Sequence, residues 1–106
     1  MDDILIKKIE DLYKKKQFEQ IKFEISNLEE KDKKSPFIYN IKGIIENLNK
    51  NFDQAKSYFQ SALKLDQYHI HSLLNLSRIS YMDKDFQNII NLLKNYHEKI
   101  PENKEV

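Results

Sequence analysis

The sequence predicts an all-α fold assembled from three helical pairs. Three observations carry that reading. Apolar residues recur at spacings of three and four along most of the chain, and strand-like alternation is sustained nowhere. One glycine and two prolines in 106 residues leave few places for tight β-turns. Phe18, Phe52 and Phe86 stand 34 residues apart in one local frame: Lys-Gln-Phe-Glu-Gln-Ile, Lys-Asn-Phe-Asp-Gln-Ala and Lys-Asp-Phe-Gln-Asn-Ile. The chain therefore divides into Asp2–Ser35, Pro36–His69 and Ile70–Asn103, three units in register within a single domain spanning 1–106.

The first unit opens with Asp2 or Asp3 as a helix cap, where acids suit the positive end of the helix dipole. Leu5, Ile6, Ile9, Leu12 and Tyr13 form one apolar stripe, and Lys14-Lys15-Lys16 closes the helix with cations. Phe18, Ile21, Phe23, Ile25 and Leu28 continue on a second helix. Glu29-Glu30-Lys31-Asp32-Lys33-Lys34 is expected to be that helix's end and a solvated connection.

The second unit restarts at Ser35-Pro36, with Ser35 as cap and Pro36 at the first helical place, where its missing N–H is not needed. Phe37, Ile38, Ile41, Ile44, Ile45 and Leu48 line its first helix. Asn49-Lys50-Asn51 breaks the pattern. Phe52, Ala55, Tyr58, Phe59, Ala62, Leu63 and Leu65 line the second helix. In the third unit Leu73, Leu74, Leu76, Ile79 and Met82 precede a turn at Asp83-Lys84-Asp85. Phe86, Ile89, Ile90, Leu92, Leu93 and Tyr96 follow it. Ile100-Pro101 is expected to stop the last helix, with a frayed tail beyond.

Composition narrows the function classes. Eighteen basic and 17 acidic residues leave a net charge of +1, so no global field draws nucleic acid or anionic membrane. No apolar run approaches the roughly 20 residues a bilayer span needs. The acidic start, Met-Asp-Asp, is unlike a signal peptide, and a cytoplasmic protein is expected. Cysteine is absent, which excludes disulfides and thiolate metal sites. His69, His71 and His97 lack a third ligand at metal spacing and read as solvated junction or surface residues. One glycine cannot build a phosphate loop, and no serine sits in a nucleophile–histidine–acid pattern. Carboxylates lie beside lysines on exposed faces, which points to i,i+4 pairing. Neither enzymatic activity, a cofactor, a metal nor a small-molecule substrate is expected.

A 34-residue helix–turn–helix unit with this pattern resembles the tetratricopeptide repeat (TPR) family. In the middle unit Tyr39 takes the family's aromatic place, Gly43 the glycine, Ala55-x3-Phe59 the Ala-x3-Phe, and Ala62 the later small residue; Lys42, Glu46 and Gln67 depart from it. In the third, Leu73, Leu76 and Pro101 match in kind, while Ser77 replaces the glycine and Ile89 the alanine. The first has Ile9 and Ile21 at small-residue places, so its helices should stand further apart. The resemblance covers nearly the whole chain. It implies a right-handed α-solenoid of three TPR pairs, with Phe18, Phe52 and Phe86 plugging the open end of each pair.

The resemblance also implies a function: a non-catalytic scaffold or adaptor that binds a peptide or partner protein in a concave groove lined by the first helices. Asn40, Ile44, Asn47, His71, Asn75, Arg78 and Tyr81 are the candidate groove residues. Asn amides can pair with an extended backbone, Arg78 can hold a carboxylate, and the apolar residues serve either as lining or as core between pairs. The family's two-carboxylate clamp is not present, because its places hold Ile6, Glu10, Ile41, His71 and Asn75. Two alternatives remain. One is a self-assembling module that dimerises through Ile90, Leu93 and Tyr96 of the last helix. The other is a regulatory segment of a larger enzyme. Neither nucleic acid nor membrane is an expected partner.

Overall fold

The computed structural model describes residues 3–99, the side chains of 97–99 excepted. The expected roles of Asp2, His97 and Ile100-Pro101, and the expected frayed tail, lie outside the described residues. The described chain is all-helical: α1 Asp3–Lys14, α2 Phe18–Ser26, α3 Glu30–Lys33, α4 Pro36–Leu48, α5 Phe52–Leu65, α6 Ile70–Met82 and α7 Phe86–Lys99. No helix among the described residues is long and apolar enough to cross a membrane.

The 34-residue period is written into the backbone. Lys16, Lys50 and Lys84 all adopt left-handed φ angles of 58°, 65° and 60°. Each ends its helix in the same way. Lys16 N–H donates to Tyr13 C=O, and Gln17 N–H reaches back to Leu12 C=O. Lys50 and Asn51 do the same to Asn47 and Glu46, and Lys84 and Asp85 to Tyr81 and Ser80. This is a Schellman ending, which satisfies carbonyls that a helix end otherwise leaves unpaired. The next helix then starts at Phe18, Phe52 or Phe86.

Two apolar clusters hold the pairs together. Ile9, Ile21 and Ile25 of the first pair pack with Ile38, Ile41 and Ile45 of α4. Ala55 and Phe59 of α5 pack with Leu76 and Ile79 of α6. Each first helix therefore closes the pair before it. Within the second pair α4 and α5 approach more closely than the helices of the other pairs. Gly43 permits this, because a Cβ there would stand 2.7 and 2.8 Å from Cδ1 and Cζ of the Phe59 ring and closer still to Cε1. Polar ties reinforce the packing. Lys8 of α1 reaches Glu24 of α2 at 3.0 Å, and that bond holds the Glu24 carboxyl below its ordinary range. Lys56 of α5 pairs with Asp83, which caps α6, and this raises the lysine's pKa.

The structure departs from the sequence reading in four places. α2 stops at Ser26, whose hydroxyl donates to Phe23 C=O at 2.7 Å, and Glu29 is extended at φ −64°, ψ 151°. The acidic–basic run after it then forms the short helix α3 rather than a plain connection. Of the three phenylalanines after the turns, Phe18 is half-buried against the first cluster, but Phe52 is 37% and Phe86 52% exposed. They sit at the starts of α5 and α7. The local carboxylate–lysine pairs, Glu19–Lys22 and Glu30–Lys33, are spaced i,i+3. His69 is half-buried and bonded rather than solvated.

Candidate partner-binding groove

Ser35 caps α4 by accepting the Ile38 N–H at 3.3 Å, and Pro36 fits the first turn. This start fixes the register of α4 and turns Asn40 towards α6. There its side-chain oxygen accepts the Ser72 hydroxyl at 3.1 Å and the Asn75 amide at 3.0 Å. The Asn75 oxygen in turn accepts an Arg78 N–H at 3.2 Å. At the other end His69 Nδ1 lies 2.8 Å from the Ser72 oxygen. The Ser72 proton is committed to Asn40, so His69 is the donor in that bond, and its neutral form carries the proton on Nδ1. Five side chains from two helices thus form one connected polar row.

The candidate groove residues take different parts in this arrangement. Asn40 is buried, 7% exposed, with its carbonyl wholly engaged inside the protein. Asn75 is half-buried and pinned. Arg78, Tyr81 and His71 are exposed. Ile44 packs against the second apolar cluster. Asn47 is half-buried, and its side-chain oxygen is buried without a partner among the described residues. The Tyr81 ring stands edge-on to Phe86, with centroids 5.8 Å apart. The structure therefore joins Asn40, Asn75 and Arg78, places Tyr81 further along α6, and sets Ile44 half-buried against the second cluster.

The three residues of the last helix separate. Ile90 and Leu93 are 56% and 49% exposed. Tyr96 is half-buried, edge-on to Tyr68 at 6.3 Å. It lines a cleft of about 530 Å³ between α5 and α7, floored by Leu63, Leu73, Leu76 and Leu92. Ser72 and His69 are the residues the sequence reading did not place in the row. Their signal was weak: a serine on the inner face of α6, one helical turn from a histidine.

Burial holds the pKa of His69 below the ordinary histidine value, with Asp66 opposing that shift and His71 adding to it. The unfolded chain then binds a proton near pH 6.5 that the folded chain takes up only at lower pH. Stability from this group is full above pH 6.5 and is lost as pH falls through the folded pKa. The urea midpoint should drop between pH 7.5 and pH 5, and His69→Asn should flatten that part of the curve. An unchanged slope in the variant would refute the assignment.

Among the described residues, no group of three or more His, Asp or Glu side chains is arranged to hold a metal ion. Set against known proteins, the chain matches no family model, no curated protein and no solved structure.

Proposed function

We propose that this chain is a non-catalytic protein–protein interaction scaffold, a right-handed α-solenoid of three TPR-like pairs that binds a peptide or partner segment along its first helices. The architecture is supported by the left-handed lysine and Schellman ending that recur every 34 residues, and by each first helix packing on the pair before it. One observation carries the binding role. Asn75 is held in place by Asn40 from the neighbouring pair and in turn holds Arg78, while His71, Arg78 and Tyr81 remain exposed on the same helix. Polar groups fixed before binding lose little conformational freedom when a ligand arrives, which favours affinity.

Affinity capture with the wild-type chain and with His71→Ala/Asn75→Ala, compared by quantitative mass spectrometry, tests this reading. At least one protein should be retained by the wild type and lost by the variant, while far-UV circular dichroism stays the same. Identical captured sets would refute it.

A further inference from the structure

Among the described residues, one surface is built three times and covered by a following helix twice. Counting 34 residues on, Ile9, Gly43 and Ser77 correspond, as do Ile21, Ala55 and Ile89, and Ile25, Phe59 and Leu93. In the first unit Ile9 and Ile21 are fully buried and Ile25 is 6% exposed, with α4 packed on them. In the second, Ala55 is fully buried and Phe59 is 1% exposed, with α6 packed on them. In the third, Leu93 is 49% exposed and Ile89 half-buried. Beside them lies a groove of about 510 Å³ lined by Leu74, Ser77, Arg78, Tyr81, Met82 and Ile89. The Ser77 hydroxyl is buried there without a partner among the described residues.

We propose that this end groove seats an amphipathic α-helix of a partner protein, with apolar residues at i, i+3 or i+4, and i+7 and a carboxylate beside them. The helical form and the spacing follow from the two filled copies. Ile38, Ile41 and Ile45 of α4 cover the first pair. Leu76 and Ile79 of α6, three residues apart, pack over the second. The carboxylate follows from charge. Among the described residues, Arg78 is the one charged residue lining the groove. Its bond to Asn75 positions it and leaves its other N–H donors for a fork with a carboxylate.

The same reasoning disfavours a second copy of this chain. A two-fold contact through the groove sets Arg78 towards its own copy. A head-to-tail contact brings α1, which carries Lys7 and Asp11 where α4 carries Ile41 and Ile45, and burying those charges is costly.

The probes are two hydrocarbon-stapled helical peptides. Both carry leucines at i, i+3 and i+7; one has flanking glutamates, and its twin has lysines there. Fluorescence anisotropy at low salt should show saturable binding of the glutamate peptide, with the twin at least about tenfold weaker. Arg78→Glu should reverse that preference. Leu93→Glu and Met82→Glu, both at exposed positions, should weaken the glutamate peptide by about 30-fold or more with an unchanged melting curve. His71→Ala does not touch the groove lining and should leave the affinity unchanged.

Three results would overturn the proposal. One is no saturation up to about 1 mM, or equal affinity for the twins. Another is loss of binding in His71→Ala, which would move the peptide to the concave groove. The third is a wild-type dimer that Leu93→Glu converts to monomer in sedimentation equilibrium, which would assign the groove to a second copy. The scaffold reading above can fail without touching this outcome, because the peptide affinity is measured on the wild-type groove and His71→Ala lies outside its lining.

Discussion

Phe59→Ala is expected to cost about 3–5 kcal/mol, a large part of the roughly 5–15 kcal/mol that keeps a domain of this kind folded. Phe59 is the largest of the fully buried side chains and joins α5 to α6. Its ring also lies against the backbone of α4 at Gly43. That contact gives the prediction a sharper form. Gly43→Ala in the wild type gains about 1 kcal/mol of helix propensity. It also drives a methyl group into a ring that cannot swing aside, at about 1–3 kcal/mol. A net loss of stability is expected. In the Phe59→Ala background the ring is gone, and the same Gly43→Ala change should become stabilising. Urea unfolding of the four proteins reads the coupling directly. If Gly43→Ala has the same sign in both backgrounds, the close approach of α4 and α5 is not what the glycine provides.

The second large effect is a gain. Lys16, Lys50 and Lys84 occupy a left-handed conformation that costs an L-residue about 1–2 kcal/mol. Glycine removes that cost and adds back about 0.5–1 kcal/mol through its freer unfolded state. Each Lys→Gly change should therefore stabilise the protein by about 0.5–1 kcal/mol. The sites lie in separate turns, so the effects should nearly add. The triple variant should melt roughly 10 °C higher. Lys→Ala at the same three sites keeps the Cβ and should give no such rise. A triple glycine variant that melts at or below the wild-type temperature would overturn the assignment of strain to these turns.

The period of the fold was legible because it rests on residue types with one packing role. Gly43, Ala55 and Phe59 could be read as small residues and a ring at a close approach, and Phe18, Phe52 and Phe86 marked the helix starts. The left-handed lysines were not legible, since lysine is not selected for that conformation and only the recurring turn forces it. The early end of α2 was hidden in Ser26, whose back-bond to Phe23 has no strong signature. The candidate site was legible only in outline. Asn40, Asn75 and Arg78 were named as groove residues, but Asn40 is buried and its bonds to Ser72 and Asn75 span 32 and 35 residues. Those distances in sequence become neighbours only once α4 and α6 are packed. Until then an asparagine that binds and one that braces look alike.

The packing order of the pairs has a consequence for how the protein is made. A ribosome releases α1 first, and α1 carries Ile4, Lys7 and Asp11 where α4 carries Ile38, Ile41 and Ile45. The first and second pairs instead turn their apolar faces towards chain that has yet to be synthesised. Ile9, Ile21 and Ile25 wait for α4, and Ala55 and Phe59 wait for α6. At each stage of translation the emerging protein thus carries one unfilled apolar face of the same kind, always at its growing end. The first helix of the following pair, α4 and then α6, is the one shaped to cover it.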